Sequence, residues 1–165
     1  MKRFGPLFLL VCLSYAAWGQ RALTEVDLRV NGIGSGTPYS KIIKTIGNPL
    51  RAEKHGNDEG YDNCADGWRK TLYYRGLEIG VLSDAKGRNY KVISLEVTSS
   101  KWKVSPGIRI GSDKQLVRSK FGKPNGATVP GENVLNYVTK ENLGGVTFYF
   151  KGNKLVRVEM EETLC

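Results

Sequence analysis

Histidine occurs once in this sequence, at His55, and catalysis through it would need a partner held at hydrogen-bond distance. His55 sits between Lys54 and Gly56 in a polar stretch, which fits a solvated loop histidine. Just beyond it, Asp58, Glu59, Asp62 and Asp66 offer oxygen ligands of the kind calcium takes. An EF-type loop needs an acidic or amide side chain two residues after its first ligand, and a glutamate at its end. Counted from Asp62, those places hold Cys64 and Tyr73, so the stretch is expected to be a solvated acidic loop. No metal site and no cofactor are expected. The nucleophile-elbow, zinc-protease, P-loop and dinucleotide-binding motifs are absent. The chain is therefore expected not to be an enzyme; a small hydrolase using the acidic loop is the less favoured alternative.

Binding chemistry is better supplied. Suppose Leu72, Tyr74, Ile79, Val81, Ile93, Leu95 and Val97 face a core, followed by Leu135, Tyr137, Val146, Phe148, Phe150, Val156, Val158 and Met160. Strand alternation then turns Tyr73, Glu78, Glu96, Asn136, Tyr149, Arg157 and Glu159 outward. Aromatics beside arginine and carboxylates are the composition of a protein-binding surface. An ordinary solvent-facing sheet with cross-strand pairs has the same composition. Trp68 is expected in a loop beside this sheet, as an anchor or as a plug over the core.

The elements that position these residues repeat. "GTPYSKIIKTIGNP" (36–49) returns 75 residues later as "GSDKQLVRSKFGKP" (111–124), with Gly36/Gly111, Gly47/Gly122 and Pro49/Pro124 identical. Thr37 is an N-cap candidate, Pro38 suits the first helical position, and Tyr39, Ile42, Ile43 and Ile46 make one apolar helical face. Gly47 is expected at the C-cap, with Pro49 blocking continuation. In the second copy Ser112 and Gln115 are spaced for a capping box, Leu116, Val117 and Phe121 are apolar, and Gly122 caps. Helices of about nine residues do not stand alone in water, so both must pack on strands. Those strands also recur: "TLYY" with "VLNY", "LEIGVL" with "VTFYF", and "VISLEV" with "LVRVEM". The first and third pairs are offset by 63 residues, so the first copy carries about 12 extra residues between helix and strand. The expectation is α+β: two tandem repeats of helix and three-stranded meander, with the helices on one face of an antiparallel sheet of about six strands. Repeat 1 spans 20–100 with a loop insertion near 51–70, and repeat 2 spans 101–165. "RALTEVDLRV" is a candidate edge strand, and "TSSKWKVS" (98–105) reads as a polar linker.

Residues 1–19 read as a secretory signal: Lys2 and Arg3, then an apolar run too short to span a bilayer, then Ala17-Trp18-Gly19 with cleavage after Gly19. Lipidation at Cys12 is disfavoured because Val11 is not small. The expected location is the periplasm or the exterior. Losing the leader lowers the basic count from 25 to 23 against 16 acidic residues, a net of +7. Such a charge favours acidic partners and leaves room for weak contact with anionic membrane or cell wall. No nucleic-acid recognition motif occurs. The surplus falls on the helices, at Lys41, Lys44, Lys114, Arg118 and Lys120. Two cysteines remain after cleavage, Cys64 and Cys165; an even count in an exported chain suggests one disulfide, with two free thiols as the alternative.

The second helix carries a recognisable pattern. "IRIGSDKQLVRSKFGKP", through Ile108, Gly111, Ser112, Asp113, Val117, Gly122 and Pro124, resembles the signature of the SmpA/OmlA (BamE-like) envelope proteins and the beta-lactamase inhibitor protein family. The first copy matches at Ile33, Gly36, Thr37, Ile42, Gly47 and Pro49. The resemblance implies helices packed on one side of a sheet whose other side is available to a partner. The motif mainly encodes a capped helix and so speaks to fold more than to activity. The inhibitor family has one bridge per repeat and this chain keeps two cysteines in all, so inhibition of a beta-lactamase is not implied. The functional expectation is a non-catalytic exported binding protein, with a protein partner on the sheet face in an inhibitory, immunity or envelope-assembly role. The alternative is a peripheral envelope or cell-wall binder acting through the basic helices.

Overall fold

Both helices stop where a glycine adopts a backbone conformation that side chains exclude. The computed structural model describes residues 29–57, 67–127, 131, 133–139 and 144–162. Helix α1 is Tyr39–Ile46 and helix α2 is Lys114–Phe121. Gly47 (φ 82°, ψ −173°) and Gly122 (φ 79°, ψ −153°) follow them, and each N–H closes the last turn onto Ile43 and Arg118. The expected C-cap positions hold, but ψ is extended rather than left-handed helical. That region belongs almost entirely to glycine.

The expected N-caps are not formed. Pro38 and Asp113 precede the first helical residues in extended conformation, and neither helix has a side-chain cap. Pro38 bridges Lys91 and Asp113 bridges Lys154, so the chain is still sheet-like where the caps were expected. The Thr37 and Ser112 hydroxyls instead accept the N–H of Gly34 and of Arg109, tightening the turns just upstream.

Seven strands form one antiparallel sheet: β1 Arg51–Asn57, β2 Trp68–Tyr74, β3 Leu77–Leu82, β4 Lys91–Val97, β5 Val134–Val138, β6 Gly144–Lys151 and β7 Lys154–Glu162. The order across the sheet is β1-β2-β3-β4-β7-β6-β5. The additional strand is β1, in the stretch expected as a loop insertion near 51–70. His55 therefore lies in a strand and not in a loop. Ala52 and Lys54 on one side of β1 are exposed, as are Arg51 and His55 on the other, so no apolar alternation marks it. Charges along an outer strand also discourage edge-to-edge pairing. Asp58, Glu59, Asp62, Asp66, Cys64, Cys165, the leader and most of "RALTEVDLRV" lie outside the described residues.

The core occupies the helix side of the sheet. Ile42 of α1 and Val117 of α2 are buried there with Leu72, Ile79, Val81, Leu95, Val97, Leu135, Tyr137, Val146, Phe148 and Val158. Phe121 of α2 sits 4.9 Å from Phe148 and 5.5 Å from Tyr137, ring centre to ring centre, and each such pair adds about 0.5–1.5 kcal/mol. The stretch expected as a polar linker contributes Trp102 and Val104, both buried, with the Trp102 indole donating to the Arg75 carbonyl at 3.0 Å.

Two expected core residues are displaced. Val81 pairs with Val92 and Gly80 with Ser94, so Ile93 is an extra residue in β4. Phe150 pairs with Leu155 and Tyr149 with Arg157, so Val156 is an extra residue in β7. These bulges shift the register by one and bury Val92 and Leu155 in their places. Ile93 is only partly buried, and Val156 is 41% exposed.

Hydrogen bonds around the two helices correspond pairwise. Gly36 N–H donates to Val92 O and Gly111 N–H to Leu155 O; Tyr39 N–H donates to Tyr90 O and Lys114 N–H to Asn153 O. Tyr74 donates its hydroxyl to Gly47 O and Tyr137 to Gly122 O, each at 3.0 Å. Burial pushes both phenols up to about 12, which keeps them protonated as donors.

Candidate functional site

The sheet side opposite the helices is built by register. One row crosses all seven strands through directly paired positions: Arg51, Tyr73, Glu78, Glu96, Glu159, Thr147 and Asn136. Tyr149 and Arg157 pair in the adjacent row. Tyr73, Glu78, Glu96, Asn136, Tyr149, Arg157 and Glu159 are thus brought together on one face, as alternation predicts. None belongs to the buried core, and Glu78 is exposed.

Trp68 does not join them. It starts β2 on the same side as Leu72 and Tyr74, is 44% exposed, and lies beside Gly87 at the end of the hairpin. Its backbone is tied to Ser83, whose hydroxyl accepts the Trp68 N–H at 2.8 Å. The structure makes it part of a strand rather than a loop anchor.

Two clusters of the same design stand on the face. In β7, Arg157 lies opposite Tyr149 of β6 with its guanidinium 3.8 Å from the ring centre, and it pairs with Glu159 at 3.1 Å. The Tyr149 hydroxyl donates to that same Glu159. In β1, Arg51 lies opposite Tyr73 of β2 at 4.2 Å from the ring centre and pairs with Glu53. The Tyr73 hydroxyl donates to Glu53 at 2.9 Å. Sequence reasoning missed Arg51 and Glu53 because it missed β1. The available signal was the shared Arg-x-Glu spacing of 51–53 and 157–159, opposite a tyrosine in each case.

Electrostatics separate the centre of the row from its flanks. Within each cluster arginine and glutamate balance, and the carboxylate of Glu53 raises the Tyr73 phenol by accepting its proton's hydrogen bond. Between the clusters, Glu78 and Glu96 face each other across β3 and β4 and make no ion pair or side-chain hydrogen bond among the described residues. Partial burial pushes the Glu96 carboxyl above its ordinary value; the charges of Glu159 and Glu78 add to this, and Arg157 opposes it. Among the described residues, no three His, Cys, Asp or Glu side chains converge to hold a metal ion.

A shallow depression adjoins the β1 end of this face. Gly80 forms its floor, since it alone in its part of the row adds no side chain, and His55, Arg69, Thr71, Ile93 and Ser94 line it. His55 Nε2 lies 2.9 Å from the Thr71 hydroxyl. No carboxylate or second imidazole is hydrogen-bonded to His55 among the described residues.

No family model matches the chain, and no curated protein matches it. Three solved structures are similar at 14% identity. One is an extracellular protein containing a SCP domain from Bacillus anthracis str. Ames, with a TM-score of 0.45 over 78% of this chain; this chain spans only 44% of that one. Another is the uncharacterized protein yfeY from Escherichia coli, with a TM-score of 0.45 over 82% of this chain and 97% of that one. The third is a DUF4309 family protein (YjgB) from Bacillus subtilis subsp. subtilis str. 168, with a TM-score of 0.38 over 76% and 78%. Likenesses this distant assign no family.

Proposed function

We propose that this chain is an exported, non-catalytic binding protein that docks another protein on the outward face of its sheet. Export rests on the basic start, short apolar run and small residues of positions 1–19. The observation that carries the docking reading is the face itself: two Arg–Tyr–Glu clusters with Glu78 and Glu96, unpaired among the described residues, between them. Tyrosine and arginine anchors held by neighbours are the usual hot-spot material of protein interfaces. An inhibitory, immunity or envelope-assembly role would use such a face in the same way. The resemblance to the SmpA/OmlA and beta-lactamase inhibitor proteins supports the arrangement, helices on one side of a sheet whose other side is open to a partner, and not a particular role.

Internal duplication belongs to the same proposal. Its support is that paired contacts recur at the two offsets in the sequence, 75 for the helix ends and 63 for the strands, including the bulge residues Ile93 and Val156. A duplicated frame with unlike outward residues would let each half present different chemistry to one partner. A Cys64–Cys165 bridge is proposed on the even cysteine count alone, and thiol counting without reductant tests it.

The test of docking is affinity capture from an envelope extract with the mature chain immobilised. The expected result is a protein retained by wild type and by Lys41→Glu/Lys44→Glu, and released by Tyr73→Ala/Tyr149→Ala. Recovery of small molecules alone would remove the reading. A second reading is favoured by one observation: the basic residues of α1 and α2 have no acidic residue in either first turn to balance them. It predicts anionic-liposome or murein binding that weakens steeply with salt and fails in the helix variant.

A further inference from the structure

Resting on that docking reading, we infer that the partner seats a lysine or arginine side chain over Glu78 and Glu96, between the Tyr73 and Tyr149 clusters. Three observations lead there. The first is charge. Glu159 is offset by Arg157 and Glu53 by Arg51, whereas Glu78 and Glu96 face each other in register and neither forms an ion pair among the described residues. Like charges directly opposite in a sheet are destabilising. A cationic side chain between them supplies the missing partner for both.

The second is the surround. Tyr73 pairs directly with Glu78, and Tyr149 lies one strand beyond Glu159. Both rings are pinned by an arginine and a hydroxyl bond to a glutamate, so they are ordered before a partner arrives. Pre-ordered aromatic walls around a charge pair lower the ordering cost of binding. They also offer ring edges and stems to the methylenes of a long basic side chain.

The third is extent. Seven strands at about 4.8 Å spacing give a face roughly 29 Å wide, and strands of about seven residues run roughly 23 Å. That footprint, near 700 Å², approximates one partner's share of a standard protein interface, about 800 Å². Glu78 and Glu96 lie on β3 and β4, near its middle, where hot spots concentrate. Without the leader the chain is net +7, 23 basic against 16 acidic residues, so long-range attraction selects a partner that is acidic overall and presents its cation locally.

The test titrates acetyl-Gly-Arg-Gly-amide into the full folded chain at low salt and follows side-chain carboxyl and tyrosine ring shifts by NMR. Acetyl-Gly-citrulline-Gly-amide is the uncharged control. The expected result is saturable shifts at Glu78, Glu96, Tyr73 and Tyr149 with the arginine peptide, at least tenfold weaker with citrulline and abolished in Glu78→Gln/Glu96→Gln. Equal response to both peptides, or shifts surviving in the double variant, overturns the inference. A self-association that is lost in Lys41→Glu/Lys44→Glu and that blocks the peptide also overturns it, because the face would then receive a second copy. If envelope capture is lost in Tyr73→Ala/Tyr149→Ala but intact in Glu78→Gln/Glu96→Gln, docking on the face stands and the cation contact is refuted.

Discussion

Neutralising Glu96 should make the protein more stable at neutral pH. Glu96 lies between Glu78 on β3 and Glu159 on β7, directly opposite each. Like-charged cross-strand pairs cost about 0.2–1 kcal/mol apiece. Partial burial adds to the cost of the Glu96 charge, and Arg157, 3.1 Å from the Glu159 carboxylate, offsets part of it. Glu96→Gln keeps shape and removes charge, and the expected gain is about 0.5–1 kcal/mol at pH 7, or roughly 1–4 °C in melting temperature for a chain of this size. The sign follows from the raised carboxyl. A folded-state value above the unfolded one means the native state holds the proton more tightly, so stability falls as pH rises from the ordinary carboxylate range through the raised value. The gain from Glu96→Gln should therefore be present at pH 7, fade as pH falls below that window, and shrink in high salt. Thermal melts of both proteins between pH 3 and pH 8, at low and high salt, measure it. A loss of stability at pH 7, or a gain that is the same at pH 3, would refute the reasoning.

Other outcomes follow from single contacts. Gly47→Ala should cost about 1–3 kcal/mol in denaturant unfolding, because its Cβ meets nothing within 4 Å and the whole penalty is backbone strain at φ 82°. Tyr137→Phe removes the hydroxyl donated to Gly122 O and should cost about 0.5–1.5 kcal/mol, with envelope capture unchanged because that ring is on the helix side.

Glycine chemistry made the helix ends legible: the backbone after Ile46 and Phe121 admits hardly any other residue, so Gly47 and Gly122 mark it in the sequence. Alternation made the outward face legible wherever a strand has one buried side, which is why Tyr73, Glu78, Glu96, Tyr149, Arg157 and Glu159 fall together. It failed where that condition fails. β1 buries neither side of Arg51–His55, so it has no period, and Arg51 and Glu53 were lost with it. Ile93 and Val156 are apolar residues placed in bulges, and an apolar bulge residue imitates a core position until the register is known. Thr37 and Ser112 have capping chemistry but spend it on the turns before the helices, a choice set by the bridges to Lys91 and Lys154 far along the chain. Trp102 and Val104 hide in a polar stretch because two buried side chains in eight residues leave no pattern.

Carboxyl footprinting tests the central claim most directly. Glycine ethyl ester coupling labels accessible carboxylates, and the comparison is between the free chain and the complex captured from envelope extract. The account predicts that Glu78 and Glu96 are labelled in the free chain and protected in the complex, while Asp84, in its own exposed turn, and Asp113, ahead of α2, react equally in both. Undiminished labelling of Glu78 and Glu96 in a complex that protects Asp113 instead would contradict it.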